Sequence, residues 1–273
     1  TNTNWECMVV DYGSTDITNE VLSSYSKKDD RIKFSHRPSE HLQGGNGARN
    51  YGLKKAKGEY VIFFDSDDLM APDHIQLKIN ALLKTNCDYV ITKTKFFGSL
   101  DPWIEGRYKG IKENLSAENF ILQEISWLTY DTCIKAKLAK SIQFNENLRS
   151  GQEYNYYSKL VLKSVNALFI EKYVTLRREH EGSIRSGLES RTKKMISAFI
   201  SKWITYLDIK YEASNLIRKK LIFGCIDMIY KNPKIKYPYI FPFTKAVFSE
   251  FGIIGYVNFL FMQFFNKYFN KGY

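Results

Sequence analysis

The feature that most constrains the fold is an apolar segment that ends in three acidic residues. Residues 60–64 form a continuous apolar run, typical of a strand that is buried on both faces of a parallel sheet. The run leads directly into Asp65-Ser66-Asp67-Asp68. Three carboxylates within four residues repel one another and lose hydration on burial, so a fold retains them where a cation compensates their charge. We therefore expect this strand to end at a ligand-binding rim of the sheet.

The acidic turn itself has two interpretations. Carboxylate oxygens are hard ligands that suit Mg²⁺ or Mn²⁺, and a site with few protein ligands leaves coordination positions free for phosphate oxygens. The alternative is a plain capped turn, because Asp and Ser are both common turn and N-cap residues. The position of the turn directly after a buried strand favours the metal interpretation.

Strand, turn and helix alternate through the first hundred residues. Apolar periodicity predicts strands at residues 5–10, 31–36, 60–64 and 88–94 and helices at residues 17–27, 48–57 and 73–85. This alternation is typical of an α/β domain with a largely parallel, Rossmann-like sheet flanked by helices. Residues 100–150 have no clear pattern, and a helix at 153–165 and a strand at 167–177 are predicted after them.

A glycine-rich segment, Gly44-Gly45-Asn46-Gly47, precedes the second predicted helix. It does not match the dinucleotide-binding glycine pattern, because Asn50 stands where the third glycine is required. It also lacks the Gly-Lys-Ser/Thr of a phosphate-binding loop. The segment is therefore predicted to be a flexible start to the helix. Arg49 offers a functional alternative, since its forked guanidinium suits a nucleotide diphosphate.

The basic charge of the chain is concentrated in its last third. Residues 191–273 hold 14 basic and four acidic side chains, a net charge of +10, whereas residues 1–190 have a net charge of +1. Such asymmetry indicates a polyanionic partner, either nucleic acid or anionic lipid. Four cysteines lie far apart in the sequence, which predicts free thiols in a reducing compartment rather than a disulfide framework.

The C-terminal region combines aromatic and basic residues at helical spacing. Apolar side chains recur every three or four residues, at Phe248, Phe251, Gly255, Phe259, Met262, Phe265 and Phe269. This face, flanked by Lys245 and Lys267, predicts a segment in an anionic membrane interface. The alternative is a helix that packs its phenylalanines on the rest of the protein. The longest uncharged stretch, residues 251–266, is shorter than the roughly 20 residues of a spanning helix. No nucleic-acid-binding motif is present, so we expect a membrane surface and no nucleic acid.

Four ordered segments of the chain resemble family 2 glycosyltransferases. The segments are Trp5-Glu6 with Val9-Val10-Asp11-Tyr12-Gly13-Ser14-Thr15-Asp16, Ala48-Arg49-Asn50-Tyr51-Gly52 with Ala56-Lys57-Gly58-Glu59-Tyr60 and Asp65-Ser66-Asp67-Asp68, Phe144 to Glu153, and Arg178-Glu179-His180 with Ser183. They are similar to the family's VDDGSTD, ARNxG…AxGEY…DSDD, FxExLxxGED and RxHxxS segments. The resemblance covers residues 5–183, about two-thirds of the chain. It implies the GT-A fold of the nucleotide-diphospho-sugar transferases.

The resemblance also implies roles for residues that would bind the donor, a UDP-sugar. Asp11 is similar in position to the family's uridine contact, and Arg49 to a basic residue that steadies the nucleotide. Asp65 and Asp67 occupy the DxD positions, which reach the ribose and the metal-bound diphosphate. Asp68 stands beside them, so that Asp67 and Asp68 are the expected ligands of Mn²⁺ or Mg²⁺.

Two further residues are assigned by the resemblance. Glu153 matches the family's catalytic base, and a glutamate with the usual pKa of about 4.3 is ionised at neutral pH and can accept a proton. Its alternative role is that of a first-turn glutamate that offsets the helix dipole. His180 matches a histidine near the diphosphate, and its alternative is an ordinary surface or hinge histidine. His36, His41 and His74 have no ligand spacing and are expected to be structural.

The sequence departs from the family pattern at three points. Tyr12 replaces the usual second Asp after the first long strand, and Gln152-Glu153 replaces the usual Glu-Asp pair. The family's first strand and helix, about 30–40 residues before Trp5, are not in the sequence, so we expect an N-terminally truncated form. These departures leave a second hypothesis open, a degenerate and non-catalytic transferase that binds nucleotide or carbohydrate at a membrane.

The sequence therefore predicts an inverting, metal-dependent hexosyl- or N-acetylhexosaminyl-transferase. Its acceptor would be a glycan or lipid-linked glycan in the synthesis of a bacterial surface polysaccharide such as a capsule. The expected location is the cytoplasm, peripheral at the inner face of the cell membrane. Three parts are predicted: a nucleotide-sugar-binding part at residues 1–98, an acceptor-binding and catalytic part at 99–188, and a basic, helical C-terminal region at 189–273.

Overall fold

The structure, a computed structural model, describes residues 3–97, 106–178 and 190–268, with side chains described to residue 264. The chain divides into two compact units, Thr1–His180 and Glu181–Tyr273. The finer division that the sequence predicts within the first unit, at residue 98, stays a prediction.

The first unit is a mixed α/β structure. Its strands are β1 (Cys7–Asp11), β2 (Ile32–His36), β3 (Tyr60–Val61), β4 (Leu69–Met70), β5 (Tyr89–Phe96), β6 (Thr132–Lys135) and β7 (Ala167–Arg177). Its helices are α1 (Thr18–Lys28), α2 (Gly45–Lys55), α3 (His74–Thr85), α4 (Ile111–Asn114), α5 (Ala117–Ile121), α6 (Ala136–Lys140) and α7 (Gln152–Lys163). The predicted alternation of strands and helices over the first hundred residues is confirmed, with ends that differ by a few residues.

A parallel pair of strands begins the fold. β1 and β2 pair in register from Cys7 opposite Ile32 to Asp11 opposite His36, so their carboxyl ends meet at one rim. Helix α2 packs on β1. Gly52 permits this close approach, because a Cβ atom there would lie 3.3 Å from the Val10 Cγ2 atom.

The other five strands form one sheet in the order β3-β6-β5-β7-β4. β5 and β7 run parallel, whereas the β3–β6, β5–β6 and β4–β7 pairs are antiparallel. The expectation of a largely parallel sheet thus applies to β1–β2 and β5–β7, and the rest of the described pairing is antiparallel. β5 supplies the centre of the core, since Tyr89, Val90 and Ile91 are fully buried.

The apolar run before the acidic turn differs from its predicted form. Only Tyr60 and Val61 pair with a neighbour, β6, at one edge of the sheet, and residues 62–64 leave the ladder. Their apolar character has another cause, because the rings pack between helices and strands. The Phe63 ring lies 5.0 Å from the Phe144 ring and 5.4 Å from the Tyr156 ring. An apolar run alone cannot distinguish this packing from burial in a sheet.

The second unit is helical. It contains α8 (Arg191–Ile209), α9 (Asn215–Lys231) and α10 (Ile240–Tyr268). Ser190 and Ser214 cap the first two helices by accepting hydrogen bonds from the amides of Lys193 and Ile217. The predicted C-terminal helical extension is confirmed.

Helix α10 is bent at Gly252, whose φ of 68° and ψ of −169° are not helical. Before the bend, Phe243 and Val247 are fully buried. After it, Phe259 is buried and packs its ring 5.7 Å from the Phe243 ring. Phe259 was expected on a membrane-facing side, so for this residue the alternative of packing within the protein is correct. Phe265 and Phe269 lie outside the described side chains.

The prediction of free thiols is confirmed for the whole chain. Cys7 is exposed, and Cys87, Cys133 and Cys225 are buried and unbridged. Cys87 and Cys133 pack with Leu82 and Val90 in the core between α3 and the sheet. Their role is therefore that of small apolar core residues.

Candidate functional site

The carboxylate of Asp11 organises the turn that follows β1. It accepts hydrogen bonds from the Ser14 hydroxyl at 2.5 Å, the Ser14 amide at 3.0 Å and the Gly13 amide at 3.2 Å. The Ser14 hydroxyl is the main reason that the pKa of Asp11 lies below its usual range. Its Oδ2 atom also lies 3.3 Å from Nδ1 of His36. Asp11 is thus a buried acceptor at the rim where β1 and β2 end.

Arg49 connects the strand exit to the start of helix α7. Its Nη2 atom donates to Oδ1 of Asp65 at 2.6 Å, and its Nη1 atom donates to Oε1 of Gln152 at 2.8 Å. The guanidinium lies over the ring of Phe144, 5.5 Å from its centre. One forked side chain therefore joins groups that are 16 and 103 residues away in sequence. A lysine could not bridge two acceptors in this planar way.

The acidic turn brings its three carboxylates together. Oxygen atoms of Asp65, Asp67 and Asp68 all lie within 4.8 Å of one another. Asp67 is exposed, Asp65 is half-buried and Asp68 is buried. The backbone closes the turn, because the Asp68 amide donates to the Asp65 carbonyl at 3.3 Å.

Asp68 has an unusual environment among these acids. Burial raises its pKa to about 6, and the charges of Asp67 and Asp65 act in the same direction. One oxygen accepts a hydrogen bond from the Arg178 amide at 2.8 Å, immediately after β7. Asp68 therefore ties the acidic turn to the end of another strand. A buried carboxyl among like charges is the situation that a bound cation relieves.

The donor set of the turn fits a hard divalent ion. It consists of carboxylate oxygens alone, at mutual distances that one ion can span, with an exposed side at Asp67. Mg²⁺ and Mn²⁺ prefer such ligands and retain positions for water or phosphate oxygens. The residues present are therefore compatible with the metal that the sequence predicts.

Glu153 lies in the first turn of α7, next to the Gln152 that Arg49 holds. It is half-buried and close enough to Arg107 to act on it electrostatically. Burial lowers the pKa of the Arg107 guanidinium, and the charge of Glu153 opposes that shift. Gly151 precedes the helix as its N-cap residue, and its φ of 71° is left-handed. The chain from Glu153 through Gln152 and Arg49 to Asp65 joins the predicted base to the acidic turn.

A dense set of hydrogen bonds fixes the glycine-rich segment against residues 144–152. Glu146 accepts hydrogen bonds from the Leu42 amide at 2.6 Å and the Asn50 side chain at 2.8 Å, and its Oε1 atom lies 2.6 Å from Nδ1 of His41. Burial raises the pKa of Glu146, but these partners outweigh it and the pKa lies below its usual range. Asn46 donates to the Asn145 carbonyl at 2.7 Å. The segment is therefore a fixed structure rather than the flexible start that its glycines predict.

Gly47 is required for this arrangement. A Cβ atom at this position would lie 2.3 Å from the Leu42 carbonyl oxygen, a distance that no side chain tolerates. Gly47 thus allows a close backbone approach beside Arg49, and Gly44 uses the conformational freedom of glycine, with a φ of 130°.

Sequence reasoning missed Tyr130, which lies in the short turn of helix just before β6. Its ring packs 5.7 Å from that of Phe64, and its side chain is almost fully buried. Its hydroxyl has no hydrogen-bond partner among the described residues, and burial raises its pKa well above the usual range. The charges of Asp68 and Asp65 reach it and raise the pKa further, while Arg177 opposes them. No sequence motif signals a phenol of this kind beside an acidic turn.

A second group of buried polar side chains connects helix α3 to strand β7, and sequence reasoning missed one of its members, Lys78. His74 is held by the Val174 carbonyl at 2.9 Å from Nδ1, so its Nε2 atom accepts from the Lys78 ammonium at 3.0 Å. Lys78 also donates to the Tyr130 carbonyl at 2.7 Å. Burial lowers the pKa of His74 to about 3 and that of Lys78 to about 8. The structural role expected of His74 from the sequence stays a prediction.

The structure thus brings Arg49, Asp65, Asp67 and Asp68 together and places Glu153 one residue from their hydrogen-bond chain. The Asp11 carboxylate accepts hydrogen bonds within its own turn, at the carboxyl end of β1. His180 lies outside the described residues. The roles of all seven residues in binding or catalysis stay predictions.

An α/β unit with a carboxylate turn at the exit of an apolar strand is typical of proteins that bind phosphorylated ligands through a divalent cation. Residues 1–137, half of the chain, match the family model "Glycosyl transferase family 2". The chain therefore belongs to this glycosyltransferase family, as its sequence motifs predict.

Three relatives illustrate the match. An uncharacterized glycosyltransferase of Rickettsia felis is 33% identical over 56% of this chain and 25% of its own length. The putative teichuronic acid biosynthesis glycosyltransferase TuaG of Bacillus subtilis is 28% identical over 76% of this chain and 77% of its own length. WfgD of Escherichia coli, a UDP-Glc:alpha-D-GlcNAc-diphosphoundecaprenol beta-1,3-glucosyltransferase, is 30% identical over 50% of this chain and 46% of its own length. The chain thus spans only about a quarter of the Rickettsia relative.

Solved structures confirm the fold. Residues 1–349 of Staphylococcus aureus TarS, in complex with UDP-GlcNAc, share 20% identity with a TM-score of 0.67, over 91% of this chain and 72% of that one. The mannosyltransferase PcManGT of Pyrobaculum calidifontis, in complex with GDP-Man and Mn²⁺, shares 12% identity with a TM-score of 0.54, over 98% of this chain and 79% of that one. The predicted GT-A type of α/β fold with C-terminal helices is therefore correct.

Proposed function

We propose that this chain transfers a sugar from a UDP-sugar to a glycan or lipid-linked glycan, with inversion at the anomeric carbon. The observation that carries the proposal is the pair of hydrogen bonds by which Arg49 joins Asp65 of the acidic turn to Gln152, the residue next to Glu153. Transfer by direct displacement needs a charge sink for the departing diphosphate and a base for the acceptor hydroxyl. This chain carries candidate residues for both.

The acidic turn and Arg49 are the proposed donor-binding groups. Asp67 and Asp68 would hold Mn²⁺ or Mg²⁺, which would neutralise the charge of the diphosphate as it leaves. Asp65 would reach the ribose, Asp11 the uridine, and Arg49 would steady the nucleotide. The complexes of TarS with UDP-GlcNAc and of PcManGT with Mn²⁺ support a nucleotide-sugar donor and a divalent metal. His180 would add a contact near the diphosphate.

Glu153 is the proposed base. The acceptor oxygen attacks the anomeric carbon, its proton passes to the Glu153 carboxylate, and the bond from that carbon to the β-phosphate oxygen breaks. The acceptor oxygen attacks from the face opposite to the leaving group, so the configuration inverts, and the electron pair of the broken bond leaves with UDP. The Arg107 guanidinium lies close enough to Glu153 for the two charges to interact. General-base catalysis of this kind contributes roughly 10²–10⁴ in rate.

The acceptor is proposed from the relatives. WfgD, by its name, acts on a diphosphoundecaprenol-linked sugar, and TuaG is assigned to teichuronic acid biosynthesis. Both names support a glycosyltransferase of polysaccharide synthesis, and our proposal extends this to a hexosyl- or N-acetylhexosaminyl-transferase of a bacterial surface polysaccharide such as a capsule. A lipid-linked acceptor would place the enzyme in the cytoplasm at the inner face of the membrane, with the basic C-terminal region as its contact.

The experiment measures UDP release from a panel of UDP-sugars, with and without Mn²⁺, together with the affinity for UDP by calorimetry. We expect metal-dependent release in the wild type and loss of metal-dependent UDP binding in Asp67→Ala. The matched control is Asp30→Ala, which removes an exposed carboxylate far from the turn in sequence and leaves both readouts unchanged. Unaltered UDP affinity in Asp67→Ala would contradict the metal site. UDP binding without release from any donor would indicate the degenerate, non-catalytic alternative.

A further inference from the structure

Helix α10 carries an apolar face that is largely exposed. Six side chains after the bend are between 41% and 74% exposed: Ile253, Ile254, Val257, Leu260, Phe261 and Phe264. Their spacings of one, three and four residues place them on one side of the helix, about a third of its circumference wide. The buried Phe259 lies on the opposite side. This exposed face is therefore distinct from the phenylalanine face that the sequence pattern predicts.

The composition of this segment is unusual for an exposed helix. Residues 251–264 contain no charged side chain. A helix that is apolar on both its packed and its exposed side is typical of a partner surface or a membrane contact. By length and composition, residues 240–264 are apolar enough to cross a membrane, a criterion that core helices of soluble proteins also meet.

The bend at Gly252 and the packing before it argue against a span. Phe243 and Val247 are fully buried, and Glu250 accepts hydrogen bonds from the Arg218 guanidinium at 3.0 Å and the Tyr206 hydroxyl at 2.9 Å. This half of α10 is thus part of the folded unit. From the bend to Tyr268, the last residue that the structure describes, the helix is about 16 residues or roughly 24 Å long.

The positive charge of this region favours an anionic membrane as the partner of the exposed face. The region after residue 190 has a net charge of +10. Two of its lysines lie beside rings of α10 that precede the bend: Lys219, on α9, is 5.9 Å from the centre of the Phe251 ring, and Lys245 is 4.7 Å from that of Phe241. A basic helical region that also carries an exposed apolar face matches the headgroup and acyl layers of an anionic bilayer.

We propose that the exposed face of α10 after Gly252 lies in the interface of an anionic membrane, parallel to its surface, with its apolar side chains inserted. This inference deepens the proposed function, on which it rests for the choice of a membrane as partner. It names the surface by which the chain would contact the membrane.

The test is cosedimentation of the full chain with vesicles of phosphatidylcholine alone and of phosphatidylcholine with phosphatidylglycerol. We expect binding to the anionic vesicles only, weakened by salt. Ile254→Asp should weaken that binding tenfold or more, because burying an isoleucine side chain favours partition by at least this factor. The matched control is Leu83→Asp, since Leu83 is a comparably exposed aliphatic residue on α3.

Several outcomes would overturn the proposal. They are unchanged binding of Ile254→Asp, equal losses in Ile254→Asp and Leu83→Asp, and equal binding to neutral and anionic vesicles. Self-association of the wild type without lipid, abolished in Ile254→Asp, would assign the face to a second copy of the chain instead. UDP release in solution is measured in parallel on the same variants. It reports on the proposed function independently, because Ile254 is not part of the donor site.

Discussion

The two units of this protein differ in what they bury and what they expose. Among the described residues, 13 of the 14 buried polar or charged side chains lie in the first unit, and the second contributes Thr205. The exposed large hydrophobic residues show the opposite trend, with 13 in the second unit and 10 in the first, which is about twice as long. The first unit thus conceals polar groups, and the second presents apolar ones.

This difference indicates two kinds of ligand. Buried polar groups are retained where hydrogen bonds satisfy them, as Thr94, Tyr108 and the Leu128 amide do for the fully buried Asp131, whose pKa burial raises to about 6. Such a framework is suited to holding polar groups in fixed positions. Exposed apolar side chains do not stabilise a fold in this way, and a group of them indicates a surface that binds a partner.

The largest expected effect separates the two units by function. Glu153→Gln should lower turnover by roughly 10²–10⁴, because the amide cannot accept the proton of the acceptor hydroxyl. Donor affinity and binding to anionic vesicles should stay unchanged, since neither depends on that proton transfer. Steady-state UDP release, calorimetry and cosedimentation measure the three quantities. Turnover at the wild-type level would show that another residue acts as the base.

The next effect tests whether the concealed polar groups of the first unit set its stability. The pKa of His74 is about 3 in the folded chain, below the unfolded value near 6.5, so the folded state prefers neutral imidazole. Its contribution is complete above pH 6.5 and is lost as the pH falls toward 3, by about 1.4 kcal/mol per pH unit. His74→Gln should remove this slope from the free energy of unfolding, measured in urea at a series of pH values.

A control distinguishes titration from simple damage to helix α3. Leu82→Ala removes a buried apolar side chain from the same helix without removing a titratable group. It should lower the free energy of unfolding by about 2–5 kcal/mol with the wild-type pH slope retained. A wild-type slope in His74→Gln as well would assign the pH dependence to other groups.

The smallest effect compares two buried phenols of the first unit. Tyr157 donates to the Thr129 carbonyl at 2.6 Å and lies 2.7 Å from the Thr132 hydroxyl, whereas the Tyr130 hydroxyl has no partner. Tyr157→Phe should lower the free energy of unfolding by about 1–2 kcal/mol. Tyr130→Phe should raise it by about 1 kcal/mol, because it removes an unsatisfied polar group. Urea unfolding measures both, and a loss of stability in Tyr130→Phe would show that its hydroxyl finds an acceptor in solution.

Local patterns predicted much of the fold. The strand at 167–177 has the predicted ends, and helix α3 differs by one residue, because long periodic segments carry a strong signal. Whether paired strands run parallel or antiparallel was harder to predict, because strand pairing depends on contacts between residues that are distant in sequence. The short elements between residues 100 and 150, such as α4 and α5, have only four or five residues and therefore no readable period.

In the candidate site, too, the local features could be predicted from the sequence, whereas the contacts between distant residues could not. The acidic turn is a local sequence signal and was predicted from four residues. The bridge from Arg49 to Gln152 spans 103 residues, and the bonds of Glu146 to Leu42 and Asn50 span about as many, so their partners required the fold. Glu146 had one usable signal, its place in the FxExL segment. Tyr130 had none, because an unsatisfied hydroxyl is a property of packing alone.

Gly252 has a consequence for the path of helix α10. Its backbone angles lie in a region that only glycine adopts readily, although a Cβ atom there would meet no other atom within 4 Å. Any other residue would thus be opposed by the backbone and not by crowding. Replacement would favour one continuous helix through this position. Gly252 thus sets the direction in which the second half of α10 leaves the half that is packed in the helical unit.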